Sequence, residues 1–199
     1  DYSSFSYDPR TYTKDHTELS VFKLKNGKVV IAFQGSHGLL DWIDDLDCIL
    51  INRRSSNYHD KKIKISDGFN NNFEPIRKLF FNLIDEHGIQ NIILVGHSLG
   101  AANAVRARFE VENKYGIDLP TIVFGEPNGG NQYYYEEVGT SKYWSIRNNR
   151  DIVCRVPFIS FGYSKPDRLY VDGGKPNKDQ HWKWSFIFKC IGNPDDHYP

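Results

Sequence analysis

The chain has 199 residues, 39% of them hydrophobic and 25% charged, with 25 Lys plus Arg against 25 Asp plus Glu. That length fits one domain able to bury a core without disulfide support, and the balanced charge gives no overall field to gather nucleic acid or an anionic bilayer. No window approaches the roughly 20 apolar residues of a membrane span, so no transmembrane segment is expected and any membrane contact has to be local and apolar. Cys48, Cys154 and Cys190 lack CxxC spacing and form an odd set, which indicates neither a zinc site nor a complete disulfide framework. The first residues, Asp1-Tyr2-Ser3, bring no Met, basic n-region or apolar h-region, as expected of a processed mature form or a trimmed piece. Location and oligomeric state stay open.

Leu19 to Leu24 and Lys28 to Phe33 are β-rich runs around Asn26-Gly27, the signature of a hairpin with a two-residue turn that leads into a buried strand. After Gln34-Gly35-Ser36, the residues Leu39, Trp42, Ile43, Leu46 and Leu50 recur at helical spacing among acids, predicting a short amphipathic helix. Arg53 to Lys62 is polar and aperiodic and reads as loop, whereas Phe73 to His87 carries Ile76, Leu79, Phe80, Leu83 and Ile84 at helical spacing. Ile92 to Val95 predicts a strand, Ala101 to Arg108 a helix, and Thr121 to Phe124 and Tyr143 to Ile146 two further strands. Strands alternating with helices imply an α/β fold, a mostly parallel central sheet with helices on both faces. No repeat, low-complexity block or linker divides the chain, so residues 1–199 are expected to form one domain.

Chemistry concentrates at Gly96-His97-Ser98-Leu99-Gly100, where a strand-forming run ends and an Ala-rich helical run begins. This is the GxSxG pattern of a nucleophile elbow, in which small flanking residues let the chain turn sharply enough to expose a serine hydroxyl. The spacing alone recurs by chance; the strand before it and the helix after it supply the required context. A serine so placed needs an acid and then a histidine later in the chain. Only His181 and His197 follow Ser98, and the polar loop around His197 suits a mobile imidazole better than the position of His181 ahead of an apolar run. His97 adjoins the nucleophile and reads as packing. Asp151 lies just beyond a strand, where active-site residues of parallel sheets collect; Asp172 is the runner-up, and Asp118, which precedes its strand, belongs at the opposite edge. Oxyanion donors are expected from the backbone of Leu99 and from Ser36, with Gly35 allowing close approach.

Taken in order, Ile31-Ala32-Phe33-Gln34-Gly35-Ser36 with Asp41-Trp42, Gly68-Phe69, Val95 to Ala101, Phe124-Gly125-Glu126-Pro127, Asp151-Ile152-Val153 with Pro157, and Asp196-His197 form a specific series. From about Val29 onward the sequence resembles the class 3 lipases, the fungal triacylglycerol lipase type of α/β hydrolase. The resemblance implies Ser98, Asp151 and His197 as a catalytic triad, Ser36 and Leu99 as oxyanion donors, no metal and no organic cofactor, and a lipid or other ester as substrate. It also implies that the stretch holding Leu39, Leu40, Trp42 and Ile43 serves as a lid over the substrate site, in transient contact with a lipid surface; packing of that stripe on the core is the plainer alternative. Phospholipase A-type activity, an acyltransferase, or a catalytically silent lipid- or protein-binding module would keep the same fold. The chain departs from the family at Pro127-Asn128-Gly129-Gly130-Asn131, where Arg and Val usually follow the Pro, and in the short tail after His197.

Overall fold

The computed structural model describes residues 10–14, 17–35, 49–53, 62–148, 151, 153–166 and 168–171. Strands β1 (Arg10–Lys14), β2 (Thr17–Lys23) and β3 (Val29–Phe33) run antiparallel. A separate hairpin pairs β4 (Leu50–Arg53) with β5 (Ile63–Ser66) and leads into α1 (Asp67–His87). Then come β6 (Ile92–His97), α2 (Leu99–Tyr115), β7 (Thr121–Phe124), α3 (Gln132–Val138), β8 (Tyr143–Asn148) and β9 (Arg168–Val171). The main sheet has the order β1-β2-β3-β6-β7-β8-β9, parallel from β3 onward. The fold is that of an α/β hydrolase.

Period-two burial along the strands sorts their residues to two faces. Leu19, Val21, Ile31, Phe33, Leu94 and Val123 line one face and form a single core with α1, α2 and α3. Phe33, Phe73 and Phe80 meet there with ring centroids 6.0 to 6.4 Å apart. The described helices all lie on this face; the helical cover expected on the opposite face is not among the described residues.

Four local expectations change. The hairpin loop holds three residues, Lys25 to Gly27, because Leu24 N–H donates to Lys28 (2.8 Å) and Gly27, at φ +82°, donates to Leu24 (3.0 Å). Leu50, grouped by spacing with a helix, and Arg53, read as the start of a loop, both belong to β4. The β4–β5 hairpin escaped notice because its strands are only four residues long. Helix α1 begins at Asp67, six residues before Phe73, through Gly68 and Asn70-Asn71-Asn72, which are poor helix formers. Tertiary contacts override that preference: Phe69 is buried, and the side-chain oxygen of Asn70 accepts from Arg53 and, at 3.3 Å, from Arg106.

Helix α2 is buried from Leu99 to Val111, charged residues included. Arg106 pairs with Glu110 and lies over the rings of Phe73 (5.6 Å) and Phe109 (5.2 Å), while Arg77 from α1 reaches Glu110 at 2.7 Å. Burial pushes the Glu110 carboxyl up, but Arg106 and Arg77 outweigh it and hold the group below the usual carboxylate range. Arg108, wholly buried, donates to the carbonyls of Val138 (2.8 Å), Ser141 (2.7 Å) and Leu119, and to the Asp118 carboxylate. Asp118 therefore sits at the opening of β7, at the edge of the sheet where the sequence expected it. Removing the guanidinium leaves the buried Val138 carbonyl without this donor, takes one of two donors from Leu119, and unpairs Asp118, so Arg108→Met should lower stability by roughly 3 kcal/mol or more. Asp118→Asn, whose side chain is a third exposed, should cost about 1 kcal/mol or less. Urea denaturation of the two variants checks the order; equal losses would contradict this account of the clamp.

Candidate active site

Ser98 joins β6 to α2 with φ +56° and ψ −124°, a conformation that costs a non-glycine residue about 1–3 kcal/mol and persists only where the surroundings impose it. The surroundings do so here. Ser98 N–H donates to Phe124 (3.0 Å), and Ser98 carbonyl accepts from Ala101 (2.9 Å) and Ala102 (3.3 Å). A Cβ on Gly96 would fall on the carbonyl of Gly100, and one on Gly100 would fall on the carbonyl of Phe33. The helix therefore docks backbone against backbone on the end of β3, which is why both glycines of the motif are needed. Ser98 is 4% exposed, and its Oγ has no hydrogen-bond partner among the described residues.

The N–H of Leu99 belongs to the first turn of α2, where helix geometry leaves donors without an intrahelical acceptor and the dipole favours negative charge. Gly35 packs against the elbow from β3: a Cβ there would lie 2.9 Å from the carbonyl oxygen of His97 and 3.6 Å from the Ser98 Cβ.

The parallel register brings Asp151 to the same edge. His97 pairs with Phe124 and Phe124 with Ile146, so β6 and β7 end level while β8 runs two residues further, and Gly125 N–H donates to Ile146 at 3.0 Å. Asp151 follows β8 by three residues. Its Oδ1 accepts from Val153 N–H (2.9 Å) and its Oδ2 from the Cys154 thiol (3.6 Å). Gly125 takes φ +57°, and a Cβ there would lie 2.8 Å from Asp151 Oδ2 and 3.4 Å from His97 Nε2. His97, read as packing, has its ring against Gly125. Ser98, Leu99, Gly35 and Asp151 lie at one edge of the sheet. Ser36, Leu39, Leu40, Trp42, Ile43 and His197, with the alternatives Asp172 and His181, lie outside the described residues. Among the described residues no three His, Cys, Asp or Glu side chains gather as metal ligands would.

Three residues of this edge escaped the sequence reading. Glu126, 1% exposed, accepts from Tyr143 and Ser145 hydroxyls at 2.5 Å each. Burial first, and then the Glu126 carboxylate, pushes the Tyr143 phenol well up, so Tyr143 stays protonated and donates. Asn128, wholly buried, binds the chain beyond Asp151 twice, through its N–H to Val156 and its Nδ2 to Pro157, both 2.8 Å. Cys154, also wholly buried, is the third. Only position in the departed Pro127 to Asn131 stretch hinted at Asn128; buried hydrogen bonding leaves no periodic signal. That stretch is well packed, since Asn131 caps α3 and its Oδ1 accepts from Tyr134 N–H and Lys64 N–H, both 3.1 Å. Beyond Pro157, the side chains of Phe158, Ile159 and Phe161 are more than half exposed, as is Ile49 ahead of β4. A Cβ on Gly162 would lie 3.3 Å from Leu50, so the two apolar segments adjoin.

The family model for class 3 lipases matches residues 30–161, a stretch that runs from β3 past the elbow and Asp151. The chain belongs to the class 3 lipase family. A secreted mono- and diacylglycerol lipase of Malassezia globosa is 29% identical over 182 residues, covering 83% of this chain and 56% of that protein. A phospholipase A1 of Arabidopsis thaliana is 39% identical over 94 residues, covering 44% of this chain and 22% of the relative. The crystal structure of lipase II from Rhizopus niveus superposes with a TM-score of 0.74 at 22% identity over 84% of this chain and 67% of its own, which shows a shared fold. The chain thus spans little more than half the length of the Malassezia relative. Within this lipase-family site, a methyl group at position 125 would meet Asp151 and strain a left-handed backbone. Gly125→Ala should therefore lower kcat on a soluble ester by about tenfold or more while costing about 1–2 kcal/mol in stability. Steady-state kinetics alongside thermal melts measure both, and an unchanged kcat would show that the acid is not held where Gly125 touches it.

Proposed function

We propose that the chain hydrolyses carboxylic esters of lipids through an acyl-enzyme on Ser98. The observation that carries this reading is the strained elbow, which presents a buried serine hydroxyl beside a helix N-terminus, at the strand ends that also hold Asp151. Ser98 Oγ attacks the ester carbonyl carbon while its proton passes to the imidazole of His197. Asp151 orients that imidazole and stabilises the cation formed. The oxyanion is met by the N–H of Leu99 and by Ser36. The C–O bond to the alcohol then breaks, the alcohol leaving with the proton from His197, and water, deprotonated by the same imidazole, releases the carboxylic acid and restores Ser98.

Two things support a lipid over a small soluble ester. The relatives named above act, by their names, on mono- and diacylglycerols and on phospholipid, which makes the acyl–glycerol ester the common substrate chemistry. The exposed apolar rim of Ile49, Phe158, Ile159 and Phe161 is of a kind that gains contact at a lipid surface and is uncommon on a fully solvated edge. The lid role that the family resemblance implies for Leu39, Leu40, Trp42 and Ile43 is part of the same reading.

Loss of the nucleophile tests the reading. Ser98→Ala should cut turnover of both a p-nitrophenyl butyrate and a dispersed diacylglycerol by at least about a thousandfold, as loss of a triad serine does elsewhere, with circular dichroism unchanged. Retention of half the parent rate would refute it.

A further inference from the structure

We propose that Cys154 is a positioning residue: its thiol is the second of two donors that fix the Asp151 carboxylate. The proposal rests on the reading of Asp151 as the acid that orients the base. A carboxylate held by one hydrogen bond can still swing its second oxygen. Val153 N–H, at 2.9 Å, fixes Oδ1 only. Oδ2 accepts from the Cys154 S–H at 3.6 Å and also lies close to Gly125, where even a methyl group would come within 2.8 Å. The thiol itself cannot swing away, because Cys154 is wholly buried in the short turn Val153–Arg155, which Val156 N–H closes onto Val153 at 3.2 Å. It is in no disulfide.

The choice of donor has a chemical consequence. A thiol is a weak, neutral donor. It can therefore orient Oδ2 while leaving most of the negative charge there to stabilise an imidazolium. A stronger donor would draw that charge away. Among the described residues, the other ionisable groups near the carboxylate are His97 at the end of β6 and Arg155 on the same turn, which is exposed; Glu126, next to Gly125, is engaged by Tyr143 and Ser145.

Two variants should therefore move the acid limb of kcat/KM in opposite directions. Cys154→Ala removes the donor. Oδ2 carries more charge, the imidazolium is held more strongly, and the limb rises by roughly a few tenths of a pH unit, while loosened orientation lowers kcat by about two- to tenfold, the range of one net hydrogen bond. KM for a soluble ester should not change. Cys154→Ser supplies a stronger donor of similar size, which should restore kcat and shift the limb below that of the parent. Limbs that stay in place, or that move together, overturn the proposal, since a residue that merely fills space moves neither. If the Ala variant does not fold, the downward limb of the Ser variant decides alone. Asp151→Asn, measured alongside, separates the two layers: its collapse with unmoved Cys154 limbs sinks only the role of Cys154, whereas near-normal activity sinks the assignment of Asp151 itself.

Discussion

A serine holds φ of +56° only if the chain on both sides of it is pinned, and the pinning of Ser98 is the constraint on which the rest of the structure depends. Upstream, Gly96 lies against the Gly100 carbonyl; downstream, Gly100 lies against the Phe33 carbonyl at the end of β3. Laterally, Ser98 N–H bonds to β7. Because each of these contacts is between backbones, no rotamer change can relax them, and the strain is carried by the sheet as a whole. An extra methyl at either glycine would move the helix, and with it the first-turn N–H of Leu99.

The helix that completes the elbow is fixed with unusual thoroughness for one so polar. Arg106, Arg108 and Glu110 are all buried on α2, yet each charge meets a partner or an aromatic face. The Arg106 group extends through Asn70 to Arg53, so that β4, the strand next described after residues 36–48, is tied to the helix that follows the nucleophile. From the elbow, the parallel pairing of β6, β7 and β8 carries position across to Asp151, and Asn128 then ties the chain beyond it back to β7. One parallel register thus sets Ser98, the N-terminus of α2 and Asp151 at a common edge.

Much of this was legible because it is written in local pattern. The elbow needs two glycines at fixed offsets, and the strands at Ile92, Thr121 and Tyr143 are compact apolar runs whose order places Asp151 at a strand end and Asp118 at a strand start. What was not legible depends on contacts between distant segments. The first turns of α1 run through asparagines that favour other conformations and are held by Arg53 and Arg106, from elsewhere in the chain. β4 and β5 are too short to show a period, and Leu50 happened to fall on a helical one. Glu126, Asn128 and Cys154 reveal themselves only through burial and partners, and His97 only through the closeness of Gly125 to its ring.

The central claim is that this geometry activates one hydroxyl among all those in the chain. The most direct measurement is reaction of the folded protein with a fluorophosphonate, followed by proteolysis and mass spectrometry. The account predicts one equivalent of phosphonate, on the peptide containing Ser98, with labelling abolished by prior unfolding in urea. An adduct on another residue, or none under conditions that label a known serine hydrolase, would contradict it.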